Sequence, residues 1–427
     1  MKKNVLLVGD LRVVENYGAV ATTEALIEML NEHKDIDIKT IDYRSMMNNT
    51  PDEGWKQDVD DFIANENQGA KFQIKKILKR IHIYEFIKKI VKPFRKKVDE
   101  IDYIPARYDM YENVVKEIKN GVIWKYEKKM IEWSDLVLIN AEGNIVNGTN
   151  EKGIYRRGGR YLLFFAYVAK RIYGKECYII NHTVDPGNRD IKNIIKNIYP
   201  LLDGVYVREK KSYQKIIHWG IKNCKYVPDA LWAHDFKLDS KTIMPLCIKN
   251  IDFDKPYICI GDSSGLENAY TKVKWDIVKV YSSLIKQIQN VCTQIVFIDG
   301  YNGANNSINE VIKCNNLPVV KMQNCNYHQL YCILENADIF ISGRWHASII
   351  SLMAHTPILL WGADSHKTEA LYGEIEYKYE FFDIDALPLN IDRIVDEMKK
   401  IINDSHEEEW RIVDRLKLEA KNNVEMI

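Results

Sequence analysis

Short apolar runs and helical stretches alternate along most of the chain. The strand-like runs of the first half are residues 5–8, 36–43, 133–140, 177–180 and 204–207. After most of them come polar or glycine-containing residues, and then apolar positions at three- and four-residue steps. A period of two predicts a strand and a period of 3.6 predicts a helix, so the alternation predicts βα units with parallel strands. A second series begins at 257–263 and continues through 295–300, 319–321, 339–343 and 358–362.

The two series are separated by a less regular stretch at residues 235–256. A chain of 427 residues is long enough for more than one domain. We therefore predict an α/β protein of two Rossmann-like lobes with a cleft between them. The predicted boundaries are 1–240 for the first lobe, 241–390 for the second, and 391–427 for a C-terminal helix that packs across both.

A mainly helical insertion is predicted at about 46–129 in the first lobe. Within it, residues 71–98 place apolar side chains at helical steps, with lysine and arginine between them. Such a helix could lie on an anionic inner membrane surface, where each basic residue contributes about 1 kcal/mol. The more common arrangement for such a helix is to dock on its own protein with the basic face in water. Both interpretations stay open at this stage.

Composition narrows the functional classes. Lysine plus arginine (60) equal aspartate plus glutamate (60), so no overall positive field would recruit nucleic acid. The eight cysteines form no C-x-x-C pair, which favours reduced thiols in a cytoplasmic protein. The first apolar run is too short for a signal peptide, and no apolar segment approaches the roughly 20 residues of a membrane span. We expect a cytoplasmic protein, peripheral on the inner membrane face if the basic helix binds lipid, with no metal site and no resident cofactor.

The stretch at 339–360 carries the strongest candidate chemistry. A predicted strand ends at Ser342 and Gly343, and Arg344, Trp345 and His346 follow where a helix begins. Anions bind at the carboxyl ends of parallel strands, where free N–H groups and the helix dipole converge. Arginine adds a permanent cation and histidine a group that exchanges protons near neutral pH. This pattern predicts an anion site with His346 as its acid.

Strand ends of the first lobe add further candidates. The predicted turns there contain Asn16 and Gly18, before a helix predicted from Thr22 onward, and then Glu142, Gly143 and Asn144, then His182, then Arg208. His182 is interpreted as either a cleft residue or a turn residue. Asp229 is expected to organise the junction between the lobes. The loop at 362–367 either covers the cleft or lies on the surface.

These motifs, in this order, resemble those of the polysaccharide pyruvyl transferases, a family with a GT-B-like fold that moves pyruvate from phosphoenolpyruvate onto sugars. The resemblance covers most of the chain outside the insertion. It implies that Arg208, Arg344 and His346 bind the anionic donor, with His346 as the acid. It also implies a substrate-binding region around Asn16, Gly18, Gly143, Asn144 and Ser342, and a saccharide acceptor in a cell-surface glycan or its lipid-linked precursor.

Glu142 departs from the family pattern, which often has a run of glycines at this place. A carboxylate suits a doubly anionic donor poorly, but it suits a general base that deprotonates an acceptor hydroxyl. A GT-B glycosyltransferase with a nucleotide-sugar donor and Glu142 as catalytic base is therefore a second hypothesis. An inactive glycan-binding scaffold is a third. Glu142 could also simply cap the helix that follows it.

Overall fold

A computed structural model describes residues 2–14, 16–42, 104–121, 123–146, 157–236, 251–266, 273–300 and 306–427. The predicted basic helix at 71–98 lies outside the described residues. No helix within the described ranges is both long and apolar enough to cross a membrane.

Two parallel sheets form the framework, which confirms the predicted α/β fold. The first has six strands in the order β2-β1-β3-β4-β5-β6. Its strands are β1 (Lys3–Asp10), β2 (Ile36–Asp42), β3 (Leu136–Val146), β4 (Glu176–Asp185), β5 (Gly204–Val207) and β6 (Cys224–Tyr226). The second has the order β11-β10-β7-β8-β9. Its strands are β7 (Ile258–Ser263), β8 (Ile295–Ile298), β9 (Val319–Val320), β10 (Ile339–Gly343) and β11 (Ile358–Leu360).

The strand orders locate the binding crevices. In an open parallel sheet, a ligand crevice forms outside the carboxyl ends of the strands, where the strand order reverses direction. That point lies between β1 and β3 in the first sheet and between β7 and β10 in the second. Glu142 lies in the carboxyl half of β3, and Arg344 directly follows β10. The topology therefore brings predicted site residues to both crevices.

Helices connect the strands. In the first lobe they are α1 (Tyr17–Asn31), α2 (Tyr111–Lys119), α3 (Lys125–Trp133), α4 (Arg157–Tyr167), α5 (Arg189–Ile198) and α6 (Lys210–His218). In the second they are α7 (Ile277–Gln289), α8 (Asn306–Cys314), α9 (Tyr327–Glu335), α10 (Trp345–Met353) and α11 (Lys367–Glu374). The last two are α12 (Ile391–Asn403) and α13 (Glu407–Glu419).

Three local predictions were wrong. Residues 16–19 are not a turn before a helix at Thr22, because the Asn16 side chain accepts hydrogen bonds from the backbone N–H groups of Gly18 and Ala19 and caps α1 at Tyr17. Glu142 does not end its strand. It lies inside β3 with a left-handed φ of 38°, beside a register irregularity. His182 likewise lies within β4 rather than at its end.

The C-terminal segment is not one long helix. Helix α12 ends at Asn403, and the next residue, Asp404, has an extended backbone. The Asp404 side chain accepts a 2.8 Å hydrogen bond from the Tyr379 hydroxyl. After α13, Asn423 Nδ2 donates to the Pro228 carbonyl at 2.8 Å, and Glu425 accepts from the Tyr206 hydroxyl at 2.7 Å. The end of the chain therefore contacts the first lobe.

The lobes also share apolar packing. Tyr17 and Ala21 of α1, with Leu231 and Trp232, are buried in the same cluster as the core of the second lobe. The first sheet has its own core on each face. Burial of apolar surface between the lobes stabilises their present arrangement and brings α1 against α10.

Candidate active site

Arg208 is the centre of a charged cluster in the first lobe. It follows β5, its side chain is 1% exposed, and its Nη1 lies 2.8 Å from Asp229 Oδ2 and 3.3 Å from Glu142 Oε1. Its Nε donates to Thr183 Oγ1 at 3.0 Å. A buried guanidinium needs such partners, because an unpaired charge in a dry interior is strongly unfavourable.

His346 reaches this cluster from the second lobe. At the start of α10, its Nε2 lies 3.1 Å from Arg208 Nη1 and 3.4 Å from both Glu142 Oε1 and Asp229 Oδ2. A guanidinium only donates, so the contact with Arg208 requires an unprotonated Nε2. A protonated Nε2 would instead point its N–H at a carboxylate. The imidazole therefore has a partner in either protonation state.

Trp345 strengthens the same junction. Its indole Nε1 donates to Asp229 Oδ2 at 2.8 Å, and its ring centroid lies 5.2 Å from the Arg208 guanidinium carbon. Asp229 thus links two residues of the second lobe to Arg208 of the first. This agrees with the expectation that Asp229 organises the lobe junction.

Gly18 lies where α1 approaches α10. A Cβ atom built on Gly18 would lie 2.0 Å from the Cβ of His346. The position therefore needs glycine for the two helices to come this close. Asn16, predicted to bind substrate, caps α1 at the same place.

The carboxylates of the cluster are held ionised. Burial raises the pKa of Glu142, but the charges of Arg208 and His346 and the backbone N–H of Gly143 outweigh it and lower that pKa. Burial acts on Asp229 in the same way, and Arg208 and His346 again lower the pKa. Glu142 therefore carries a negative charge at neutral pH, as a base requires.

Arg344 is paired on its own side of the cleft. Its Nε lies 2.6 Å from Asp262 Oδ1, and its Nη2 contacts the other oxygen of the same carboxylate. The Ser342 hydroxyl accepts from the Arg344 backbone N–H at 3.1 Å and donates to the Asp262 carbonyl at 2.9 Å. Ser342 thus shapes the strand end that presents Arg344.

His182 is not among the residues brought into the cleft. It is fully buried, with Nδ1 3.0 Å from the Tyr206 carbonyl and Nε2 2.8 Å from the Tyr199 hydroxyl. Burial lowers the pKa of His182 to about 3, so the ring is neutral at physiological pH. It supports β4 one residue before Thr183, which holds Arg208. Asn144 is also buried.

Two site residues were missing from the sequence-based set. Asp262 is the ion-pair partner of Arg344. Lys367 belongs to the 362–367 loop, which was predicted to lie either over the cleft or on the surface. Lys367 Nζ pairs with Asp364 Oδ1 at 2.7 Å, and the Lys367 charge helps to lower the pKa of Glu142. Asp262 lies at the carboxyl end of β7, and Lys367 begins α11 after β11, so the same strand-end rule that selected Arg344 could have selected them.

No group of histidine, cysteine, aspartate or glutamate within the described ranges is arranged to hold a metal ion. The charged and titratable side chains brought together here are His346, the carboxylates of Glu142, Asp229 and Asp262, and the cationic groups of Arg208 and Arg344.

Two Rossmann-like lobes that meet at this charged cluster define a GT-B-like protein. UDP-GlcNAc 2-epimerase from Neisseria meningitidis is similar to this chain with a TM-score of 0.53 at 11% identity, over 98% of each chain. The UDP-N-acetylglucosamine 2-epimerase of Rickettsia bellii is similar with a TM-score of 0.51 at 11% identity, over 100% of this chain and 96% of the other. At such identities the likeness is one of fold.

The sequence specifies the family within that fold. The family model described as polysaccharide pyruvyl transferase matches residues 16–360, which is well over half of the chain. The chain belongs to the polysaccharide pyruvyl transferase family and is a transferase. A comparison with curated proteins finds no match.

Proposed function

We propose that the protein transfers pyruvate from phosphoenolpyruvate to two hydroxyls of a sugar, in a cell-surface glycan or its lipid-linked precursor. The observation that carries this proposal is the position of His346, which lies 3.4 Å from the ionised Glu142 and 3.1 Å from Arg208. An acid, a base and an anion-binding guanidinium are thereby next to one another. Family membership supports the same reaction class.

Cations of both lobes would hold the donor. Phosphoenolpyruvate carries a phosphate and a carboxylate, which guanidinium groups bind with paired hydrogen bonds. Arg208 uses Nε and Nη1 for its hydrogen bonds to described residues. Its Nη2 points toward Gly143, which has no side chain. A Cβ atom built on Gly143 would still lie 4.0 Å from Arg208 Nη2. This leaves Nη2 for a ligand oxygen, with Arg344 and Lys367 on the other lobe.

The proposed reaction begins with a proton transfer. Charged His346 protonates the methylene carbon of phosphoenolpyruvate, which makes C2 an oxocarbenium centre. A sugar hydroxyl bonds to C2 and its proton passes to Glu142. The C2–O bond to phosphate then breaks, the second hydroxyl bonds to C2, and its proton leaves with inorganic phosphate. Glu142 returns its proton to His346, and the products are a pyruvyl ketal and phosphate.

Glycosyl transfer from a nucleotide sugar is the second candidate. The low pKa of Glu142 favours it, because an ionised carboxylate beside the cleft is what an inverting glycosyltransferase needs to deprotonate its acceptor. In that case Arg208 and Arg344 would bind the diphosphate of the donor.

A donor screen separates the two reactions. Phosphoenolpyruvate at 100 times its dissociation constant should stabilise the protein by about 2.7 kcal/mol in a thermal-shift assay, while nucleotide sugars should not. Stabilisation by a nucleoside diphosphate sugar, with none by phosphoenolpyruvate, would reject pyruvyl transfer. If Arg344→Ala supports full glycan production in cells, both enzymatic proposals fail and the scaffold hypothesis stands.

The role of His346 is tested in the same assay. His346→Gln should still be stabilised by phosphoenolpyruvate but should lose about 10²- to 10⁴-fold in kcat, the usual contribution of a positioned acid. His33→Gln, at an exposed position in the loop between α1 and β2, is the control and should behave like the wild type. Unchanged turnover by His346→Gln would remove it as the acid.

A further inference from the structure

A second histidine of the second lobe also contacts the first. His366 lies in the loop between β11 and α11, directly before Lys367, and its side chain is 13% exposed. Its Nε2 is 3.0 Å from Glu209 Oε1, and its Nδ1 is 3.3 Å from Asp185 Oδ2. Both carboxylates belong to the first lobe. One imidazole therefore joins two carboxylates across the boundary between the lobes.

The two carboxylates are themselves held in place. Glu209 is completely buried and accepts a hydrogen bond from the Ser212 hydroxyl, which also accepts one from the Val184 backbone N–H at 2.7 Å. Asp185 ends β4 and pairs with Lys215 of α6. His366 thus binds to a rigid part of the first lobe.

Glu209 directly follows Arg208 on extended backbone, with φ −144° and ψ 149°. Successive side chains of an extended chain point to opposite sides. Arg208 therefore faces His346 and Glu209 faces His366. One strand end of the first lobe holds both histidines of the second.

We propose that His366 is a positioning residue, whose imidazole ring fastens the 362–367 loop to the first lobe and thereby holds the next residue, Lys367, at the boundary between the lobes. The part played by Lys367 in donor binding rests on the proposed function. The fastening of the loop does not.

The fastening depends on protonation. Both carboxylates accept hydrogen bonds, and a neutral imidazole has one N–H to donate whereas an imidazolium has two. Burial lowers the pKa of His366, but its hydrogen bonds to Asp185 and Glu209 outweigh it and raise that pKa. A group whose pKa is higher in the fastened state stabilises that state at low pH. The contact should therefore be complete at acidic pH and weaken as the pH rises through that raised value.

Other charged groups surround the contact. Lys215 shares Asp185, and Lys367 is paired with Asp364 in the same loop. Lys211 of α6 pairs with Glu369 of α11 at 2.5 Å across the same boundary. That second pair is exposed on both sides, so salt screens it. At moderate ionic strength the His366 contact should dominate.

Hydrogen exchange of the full-length protein tests the fastening without any substrate. In His366→Gln at pH 6.5, amides of residues 362–374 should exchange about tenfold faster than in the wild type, which corresponds to loss of one charge-assisted hydrogen bond. His218→Gln, at the exposed last residue of α6, is the control and should match the wild type. Because the pKa of His366 is raised above its usual value, wild-type protection of these amides, corrected for intrinsic exchange, should fall as the pH rises through that raised pKa, while the protection in His366→Gln should not change with pH. If the amides of residues 362–374 in His366→Gln exchange at the wild-type rate, the proposal is overturned.

Kinetics test the consequence for Lys367. His366→Gln should raise the KM for phosphoenolpyruvate about tenfold with kcat little changed, because the variant weakens binding and leaves the chemistry intact. A fall in kcat at constant KM would contradict a positioning role. Asp185→Asn should reproduce the exchange and KM changes, and it tests the contact if His366→Gln misfolds. Failure of the wild type to use phosphoenolpyruvate would reject the proposed function and leave the exchange result to decide the fastening.

Discussion

Gly18→Ala is the sharpest test of how the two lobes assemble the site. The added methyl group would lie 2.0 Å from the Cβ of His346, whereas nonbonded carbon atoms normally approach to about 3.5 Å. One of the two helices must therefore move by about 1.5 Å. Because α10 carries His346, a movement of α10 would separate the imidazole from Glu142 and Asp229.

The expected loss is mainly in catalysis. Misplacing a reacting group by about 1 Å can cost roughly 10²-fold in rate, so kcat/KM should fall by about that factor or more. Stability should change less. Overpacking costs about 1–3 kcal/mol, and replacing glycine by alanine in a helix restores up to about 1 kcal/mol.

The measurement combines steady-state kinetics with a crystal structure of the variant. Gly373→Ala is a matched control, because Gly373 is exposed in α11 and an added Cβ would meet no atom within 4 Å. That control should keep full activity and gain slightly in stability. Wild-type kcat/KM in Gly18→Ala, with His346 still 3.4 Å from Asp229, would refute the reasoning.

Two further predictions concern buried carboxyl groups. Asp229→Asn leaves Arg208 without its shortest ion pair, so the free energy of unfolding in urea at pH 7 should fall by about 3–5 kcal/mol. The pKa of Asp229 is lowered in the folded state, so the difference in unfolding free energy between the wild type and Asp229→Asn should shrink as the pH falls below about 4. A difference that does not change with pH would contradict this prediction. Glu374 is the opposite case, since burial and the charges of Glu209 and Asp229 raise its pKa well above the usual value. Glu374→Gln should therefore stabilise the protein by about 1 kcal/mol or more at pH 8 and less at pH 5, as measured by thermal denaturation, and lower stability at pH 8 would contradict this.

Much of the fold was predictable because it depends on local periodicity. The two series of βα units and the strand carrying Ile339 to Gly343 follow from apolar spacing. Local predictions failed where a side chain or an unusual φ angle altered the pattern. Asn16 starts α1 five residues before the predicted position of Thr22, and Glu142 continues β3 through a left-handed conformation that glycine or asparagine more often adopts.

The candidate site was predictable only in part. Arg208, Glu142, Arg344 and His346 could be selected because each lies near the carboxyl end of a predicted parallel strand. The same rule selected His182, which is fully buried with both ring nitrogens hydrogen-bonded to Tyr206 and Tyr199. The rule locates a residue at the carboxyl edge of the sheet. It does not tell whether the side chain of that residue points to the cleft or into the core.

The sequence by itself determined the fold class, the family and most residues of the candidate site, because periodicity and strand-end motifs are local properties of the chain. Only the tertiary structure decided which groups meet. His346 and Arg208 are 138 positions apart in sequence, and Arg344 and Asp262 are 82 apart. Their pairing depends on how the lobes pack and on strand order within each sheet, which no local pattern encodes.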